Sequence, residues 1–333
     1  KGPSGPFCFA GPGDNRRMQA TQPFWQTSRF RIDLARPQVM GIVNVTPDSF
    51  SDGGRHAGAA AGLAHCEQLL RDGADILDIG GESTRPGSPA VPLDEELARV
   101  LPVVRGAVTL GVPVSVDTYK PQLMQEALDL GADIINDIWA LRQPGAAQAV
   151  AAHPRCGVCL MHMHRDPQTM QVQPMQGDVV PQVLLFLQQQ ALDLQALGVE
   201  KHRIVLDPGI GFGKTVEQNF ALLARQAELL TSGHAWLAGW SRKSSLGAVT
   251  GLPVEQRLHA SVAAAVLAVE RGARIVRVHD VAATVQALRA RGHEVREMNM
   301  TSGLQALQRG QAQGRPAWLG GADPRREGVV MGD

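Results

Sequence analysis

Carboxylate and amide side chains recur at one kind of position in this 333-residue chain, at the end of short apolar runs. Asn44, Asp117, Asn136 and Asp207 each occupy such a position. A buried carboxylate without a partner costs several kcal/mol, so Asp117 and Asp207 must meet cations, donors or a ligand. The repetition predicts one polar site assembled from several segments of the chain.

Cationic and hydroxyl residues follow the same kind of run and extend this predicted site. They are Thr84, Arg85, Ser241, Lys243, Arg277 and His279. An internal salt-bridge network would account for the charges alone. It would not account for the amide of Asn136, for the hydroxyl groups, or for the long loops in the same places. We therefore interpret the set as a binding or catalytic site, because such residues concentrate on loops carried by a rigid scaffold.

The apolar runs themselves indicate the fold, because eight of them alternate with amphipathic stretches as βα units do. They cover residues 39–44, 75–80, 113–117, 133–137, 157–162, 203–207, 235–239 and 274–279. Eight such units match a (β/α)₈ TIM barrel, an α/β fold whose active site lies at the carboxyl ends of the strands. The alternative is a doubly wound sheet, but its first strand usually leads into a glycine-rich turn. Here the first strand leads into a Pro-Asp-Ser loop, which favours the barrel.

The composition limits the classes of partner. The chain has 32 basic and 32 acidic residues and only 4% aromatic residues. It therefore has neither a general field for nucleic acid nor enough rings to stack bases. No window reaches the roughly 18 apolar residues of a membrane span, and the N-terminus has no hydrophobic signal core. We expect a cytoplasmic protein that binds neither nucleic acid nor membrane.

The two ends of the chain differ from its centre. Residues 1–28 are rich in Gly, Pro and Gln, and residues 298–333 are rich in Gly, Gln and Arg, without apolar periodicity. We predict one barrel domain at residues 29–297, between a disordered N-terminal extension and a flexible C-terminal tail.

Two further motifs suggest other chemistry but fail on inspection. Residues 209–215 (GIGFGKT) resemble a phosphate-binding loop, but Pro208 stands where its first glycine is required. Cys156 and Cys159 have the CxxC spacing, but within a predicted strand they would face opposite sides. We expect two buried thiols and no redox pair.

Several segments, taken in order, resemble the signatures of the dihydropteroate synthase family. They are residues 44–54 (NVTPDSFSDGG), 78–87 (DIGGESTRPG), 115–118 (SVDT), 136–137 (ND), 207–209 (DPG), 241–243 (SRK) and 277–280 (RVHD). The match spans about residues 37–292 and leaves out both ends of the chain. Chance agreement of so many ordered motifs is negligible.

The resemblance implies a transferase of folate biosynthesis built on a pterin-binding barrel. The family joins 6-hydroxymethyl-7,8-dihydropterin pyrophosphate to para-aminobenzoate and releases pyrophosphate and 7,8-dihydropteroate. Its members are usually homodimers. The resemblance also implies Mg²⁺ as a cofactor, whose charge would neutralise the leaving group.

The resemblance further implies a role for each matched residue. The pterin would meet Asp117, Asn136, Asp207, Lys243, Met161, Phe212 and Ile138. Pyrophosphate would meet Asn44, Arg277 and His279, and Asn44 would also contact the metal. para-Aminobenzoate would lie against Thr84, Arg85, Pro86, Ser241 and Phe50. Catalysis would involve Asp117, Lys243, Arg277, Thr84 and Arg85.

We expect a dissociative displacement, in which Asp117 stabilises the methylene cation left by the departing pyrophosphate. Three alternatives remain. A corrinoid methyltransferase that binds methyltetrahydrofolate shares the pterin-binding barrel, but it has no use for residues 82–87 together with 241–243. A Schiff-base enzyme would use Lys243 as its nucleophile. A non-catalytic pterin-binding homologue should have lost loop residues, and both loops are intact in the sequence.

Overall fold

The chain forms two units, Lys1–Leu288 and Arg289–Asp333. A computed structural model describes residues 23–45, 54–83, 88–166, 169–170, 172–291, 305–312 and 315–322. For residues 54–57 and for those from 291 onwards it describes the backbone alone.

Ten strands are described in the first unit, and eight of them close into a parallel barrel. They are β1 (Phe24–Gln26), β2 (Arg31–Asp33), β3 (Gln38–Asn44), β4 (Ile76–Gly80), β5 (Val114–Asp117), β6 (Ile134–Asp137), β7 (Gly157–Met161), β8 (Ile204–Asp207), β9 (Ala235–Ala238) and β10 (Ile275–Val278). Strand β10 pairs with both β9 and β3 and so completes the circle. The TIM barrel predicted from the sequence is confirmed, and each barrel strand agrees with its predicted range to within one residue.

Burial on both faces explains why the barrel strands read as apolar runs in the sequence. One face of each strand packs against the helices, in a core that includes Val43, Ile79 and Val116. The other face fills the barrel interior with residues such as Met40, Ile76 and Ile134. Cys156 lies in the core between strands and helices, and Cys159 lies in the barrel interior. Both are buried free thiols, as predicted.

The register of the strands places the polar strand ends side by side. Asn44 pairs with Gly80, Gly80 with Asp117, and Asp117 with Asn136. Residues that pair in a parallel sheet lie at the same height and on the same face. The register therefore brings residues from distant parts of the chain to one rim.

Ten helices are described. They are α1 (Gly54–Arg71), α2 (Leu93–Ala107), α3 (Pro121–Asp129), α4 (Ala146–Ala152), α5 (Val179–Ala196), α6 (Val216–Ala224), α7 (Gln226–Leu229), α8 (Ser244–Thr250), α9 (Leu258–Glu270) and α10 (Val281–Arg291). The sequence did not predict α4, because seven residues are too few to show a helical period. None of the described helices has the length and apolar character needed to cross a membrane.

The antiparallel hairpin β1–β2 closes the amino-terminal end of the barrel. Trp25 is completely buried, and its indole N–H donates to the carbonyl of Arg203, 2.8 Å away at the start of β8. The guanidinium of Arg203 in turn donates to the carbonyls of Cys156 and His153. The sequence predicted a disordered extension up to residue 28, and that boundary is wrong because Trp25 belongs to the core.

The second unit contains an antiparallel hairpin of β11 (Gln305–Ala312) and β12 (Arg315–Ala322). These residues fall within the tail that the sequence predicted to be flexible, and the hairpin was not predicted. Its segments contain Gly, Gln, Ala and Arg, without the alternation of polar and apolar residues that indicates a strand.

We expect Trp25→Ala to lower the free energy of unfolding by about 3–5 kcal/mol, because it leaves a cavity in the closed end of the barrel. Urea denaturation followed by circular dichroism measures the change. Phe24→Ala is the matched control, since Phe24 is a partly exposed neighbour on the same strand. An equal loss in both variants would contradict the role of Trp25 in the core.

Candidate active site

A cavity of about 650 Å³ opens at the carboxyl-terminal end of the barrel strands. Every predicted site residue that the structure describes lines it. These residues are Asn44, Asp117, Asn136, Ile138, Met161, Asp207, Phe212, Ser241, Lys243, Arg277 and His279. The other predicted residues, Phe50, Thr84, Arg85 and Pro86, lie outside the described part of the chain.

A shared guanidinium organises the floor of the cavity. Arg277 donates through Nε to Asp78 Oδ2 and through a terminal nitrogen to Asp117 Oδ2, and each donor–acceptor distance is 2.6 Å. Asn136 also donates to Asp78 Oδ2, at a distance of 3.3 Å. Asp78 thus joins β4, β6 and β10 beneath the cavity, although the sequence analysis gave it no role. Within the described residues, the second oxygen of Asp78 is buried without a hydrogen-bond partner.

Two carboxylates facing one guanidinium leave an excess of negative charge at this position. Burial raises the pKa of Asp117 to about 7, with Arg277 opposing the rise and Asp78 adding to it. Burial lowers the pKa of Arg277, but the two carboxylates outweigh that effect and hold its pKa above the ordinary value. A cationic ligand or a developing positive charge beside Asp117 would therefore be stabilised.

Lys243 and Asp207 form the opposite part of the cavity wall. The Lys243 ammonium lies 4.3 Å from the centre of the Phe212 ring, a cation–π contact. Burial, followed by repulsion from Arg277, lowers the pKa of Lys243 to about 8. Asp207 accepts a hydrogen bond from the backbone N–H of Gly209 at 2.7 Å, and burial raises its pKa.

Aliphatic and aromatic side chains form the rest of the inner wall. Ile138, Met161 and Phe212 are buried and belong to one apolar cluster. Such a wall beside carboxylate and amide groups suits a flat ring with a polar edge, because ligand sites pair apolar surface with a few placed polar groups.

The loop after β8 is stabilised from inside by Lys214, a residue that the sequence analysis did not select. Its ammonium donates to the carbonyls of Gly209 (2.8 Å) and Phe212 (3.1 Å) and lies 2.9 Å from His162 Nδ1. A side chain at Gly209 would overlap the carbonyl of His162, so glycine is required there. The lysine of GIGFGKT therefore stabilises its own loop, in agreement with the rejection of a phosphate-binding loop.

The segment after β9 turns sharply at Arg242, whose φ of 58° is unusual for a residue with a side chain. The Arg242 guanidinium pairs with Asp280 at 2.6 Å, and its backbone N–H donates to Ser261. Arg242 is thereby fixed between Ser241 and Lys243, which both line the cavity.

A second charge cluster lies at the two ends of the loop between β4 and α2. Lys120 donates to Glu82 Oε2 at 2.7 Å, to the carbonyl of Val91 at 2.7 Å, and to Glu96. The hydroxyl of Tyr119 donates to Glu82 at 3.0 Å. Residues 82 and 91 are thus joined across the loop, and only Glu82 of this cluster lines the cavity.

Comparison with known proteins assigns the chain to a family. The model of the pterin binding enzyme family matches residues 40–279. The dihydropteroate synthase of Neisseria meningitidis serogroup C is 51% identical over 270 residues, which make up 80% of this chain and 95% of that protein. The chain belongs to the dihydropteroate synthase family. The resemblance stated from the sequence motifs is confirmed.

Solved members of the dihydropteroate synthase family are similar over nearly their whole length. The enzyme of Xanthomonas albilineans, solved with 4-aminobenzoic acid, is 50% identical with a TM-score of 0.77, covering 82% of this chain and 98% of that one. The enzyme of Burkholderia cenocepacia, solved with 7,8-dihydropteroate, is 52% identical with a TM-score of 0.74, covering 81% and 95%.

We expect the energetic contribution of Asp78 to depend on Arg277. Asp78→Asn should lower the free energy of unfolding by about 1.5–3 kcal/mol, the range for a hydrogen bond to a charged group. In an Arg277→Met background the same change should be stabilising, because it removes a buried carboxylate left without its cation. Chemical denaturation of the four proteins measures this coupling.

Asp133→Asn provides the control. Asp133 is equally buried and pairs with Arg29 at 2.6 Å, at the opposite end of the barrel. Asp133→Asn should change the free energy of unfolding by the same amount with and without Arg277. If Asp78→Asn were equally independent of Arg277, the shared guanidinium would not organise the floor.

Proposed function

We propose that this chain is a dihydropteroate synthase, which condenses 6-hydroxymethyl-7,8-dihydropterin pyrophosphate with para-aminobenzoate to give 7,8-dihydropteroate and pyrophosphate. The observation that carries the proposal is one cavity in which a carboxylate and amide floor adjoins a cationic wall. The floor is suited to a pterin and the cations to its pyrophosphate. The relatives named dihydropteroate synthase give the same assignment.

The pterin is assigned to the inner part of the cavity. Its edge of N–H donors would bind Asp117, Asn136 and Asp207, since ionised acceptors form the stronger hydrogen bonds. Lys243 would donate to the ring carbonyl and nitrogen acceptors. The faces of the ring would pack on Ile138, Met161 and Phe212, which form the apolar wall of the cavity.

The pyrophosphate is assigned to the side where β10 meets β3. Arg277 belongs to β10 and His279 follows it. Asn44 ends β3, which is the neighbour of β10 in the barrel. Within the described part of the chain, no three His, Cys, Asp or Glu residues cluster around a metal position. Mg²⁺ usually keeps several waters and takes other ligands from phosphate, so the amide oxygen of Asn44 would hold it together with pyrophosphate and water. When bound, Mg²⁺ would supply positive charge to the leaving group.

The outer part of the cavity is assigned to para-aminobenzoate. The proposal keeps Thr84, Arg85, Pro86 and Phe50 on this side, from the family resemblance alone. The proposal also includes a homodimer, which is expected of the family, and the cytoplasmic location expected from the sequence.

The proposed displacement is dissociative. The bond between the methylene carbon and pyrophosphate oxygen breaks, and its electron pair leaves with pyrophosphate. The aniline nitrogen then forms the new C–N bond and loses one proton. The excess negative charge at Asp117 supports its role in stabilising the intervening cation, because preorganised charge acts most strongly in a site that excludes water. The weakly basic amine needs no dedicated general base.

The test supplies both substrates and Mg²⁺ and measures released pyrophosphate together with dihydropteroate. We expect stoichiometric formation of the two products. Asp117→Asn should lower kcat by about 10²–10³, the usual loss when one preorganised charge is removed. Intact folding of the variant is checked by its denaturation curve.

Three outcomes would contradict parts of the proposal. Folded wild-type protein that binds the pterin without forming product would favour a non-catalytic homologue. Methyl transfer from methyltetrahydrofolate to a corrinoid would favour the methyltransferase. Full turnover by Asp117→Asn would remove the proposed role of that carboxylate while leaving the synthase assignment in place.

The pH dependence of the reaction should reflect Lys243. Its pKa of about 8 means that the donor form is lost above that pH, so kcat/KM for the pterin substrate should fall there. Lys243→Arg should remove this alkaline decline, because a guanidinium stays protonated. Initial rates from pH 6 to 10 measure both profiles, with roughly a tenfold fall expected per pH unit above the pKa.

Titration of Lys243 does not itself destabilise the fold as the pH rises. The folded chain holds the Lys243 proton less strongly than the unfolded chain, whose lysine has a pKa near the ordinary 10.5. Between about pH 8 and 10.5 the unfolded state therefore binds more protons, and this group makes the protein more stable as pH rises. An alkaline decline that persists in Lys243→Arg would contradict the assignment.

A further inference from the structure

Ser241 and His279 make two hydrogen-bonding contacts with each other. The backbone N–H of His279 donates to Ser241 Oγ at 3.1 Å, and the same oxygen lies 3.0 Å from His279 Nδ1. Ser241 is buried and lines the cavity. The two residues therefore form a closed pair at the junction of β9 and β10.

This pairing can select which ring nitrogen of His279 carries the proton. The serine oxygen accepts the backbone N–H through one lone pair, and its own hydrogen can be donated to Nδ1, 3.0 Å away. In that arrangement Nδ1 is unprotonated and the ring proton stands on Nε2. Burial, followed by the charges of Arg277 and Arg242, lowers the pKa of His279 to about 3 and so keeps the ring neutral.

The other ring nitrogen of His279, Nε2, lies on the cationic side of the cavity. His279 lines the cavity beside Arg277 and Asn44. Within the described residues, no group is hydrogen-bonded to Nε2. A neutral ring there adds a directed N–H donor to the side that Arg277 already makes positive. It does so without placing a second cation beside that guanidinium.

We propose that Ser241 is a positioning residue for the pyrophosphate site, holding His279 in the tautomer whose Nε2–H donates to a phosphate oxygen. This inference rests on the proposed function. It moves Ser241 away from the para-aminobenzoate carboxylate, to which the family resemblance assigned it. The Ser241 hydroxyl should then affect binding of the dihydropterin pyrophosphate and not of para-aminobenzoate. Measuring both substrates therefore separates the pyrophosphate assignment of Ser241 from the para-aminobenzoate assignment.

The kinetic test compares both substrates in Ser241→Ala. We expect KM for the dihydropterin pyrophosphate to rise by about tenfold, the value of one hydrogen bond to a charged group, with KM for para-aminobenzoate unchanged. Ser241→Thr keeps the hydroxyl and should restore the first KM. A rise confined to KM for para-aminobenzoate would overturn the proposal.

A matched serine provides the control. The hydroxyl of Ser232 likewise accepts from a backbone N–H, that of His234 at 3.3 Å, and from a ring N–H, that of Trp236 at 3.1 Å. Ser232 precedes β9 and lies at the opposite end of the barrel from the cavity. Ser232→Ala should leave both KM values unchanged, so a general effect of losing a serine hydroxyl is excluded.

A spectroscopic test does not depend on turnover. ¹⁵N NMR of histidine-labelled protein, with the signal assigned through His279→Gln, should identify the Nε2–H tautomer in wild type and a mixture in Ser241→Ala. Calorimetry with inorganic pyrophosphate and Mg²⁺ should give about tenfold weaker binding for Ser241→Ala, and no further loss when it is combined with His279→Gln.

These readouts separate the two hypotheses. A Nδ1–H tautomer in wild type, or pyrophosphate binding unaffected by Ser241→Ala, would overturn the role of Ser241 even in an active synthase. Absence of turnover with intact pyrophosphate binding would instead count against the proposed function.

Discussion

The sharing of Arg277 between two carboxylates is the interaction on which the cavity depends. Asp78 and Asp117 stand on adjacent strands and would repel each other without the guanidinium between them. A closed barrel allows this arrangement because its last strand lies beside its first, so a residue near the end of the chain reaches residues from its first half. The ion pairs also fix the direction in which Arg277 presents its remaining N–H groups. The same ion pairs thus connect the closing strand of the barrel to the floor of the cavity.

Around this centre, the loops are held by interactions that leave the cavity-lining groups accessible. Lys214 satisfies the carbonyls inside the loop after β8, and Arg242 fixes the turn after β9 by pairing with Asp280. Neither interaction needs a ligand. The side chains that face the cavity are therefore positioned before substrate arrives, which reduces the entropy that binding must overcome.

The sequence was informative wherever one physical cause acted on a whole segment. Strands buried on both faces must be apolar, so the barrel strands were found almost to the residue, and polar groups at their ends indicated the site. Asp78 was overlooked because it lies within a strand, two residues before its end, although a lone charge inside an apolar run is itself a signal. Lys214 was considered only as part of a failed motif. Trp25 was missed because a three-residue strand has too few positions to show alternation, and its burial depends on Arg203, far along the chain.

The two ends of the barrel hold their buried polar groups in different ways. At the amino-terminal end, Trp25 and Arg203 donate to backbone carbonyls of the protein itself, which ties β1 to the barrel strands. At the other end, one oxygen of Asp78 is buried without a partner among the described residues. The amino-terminal closure therefore needs no ligand, and amides near β1 and β2 should exchange slowly in every state. Ligands would add their stabilisation only at the far end, so substrate binding should slow exchange there and leave the global fold unchanged.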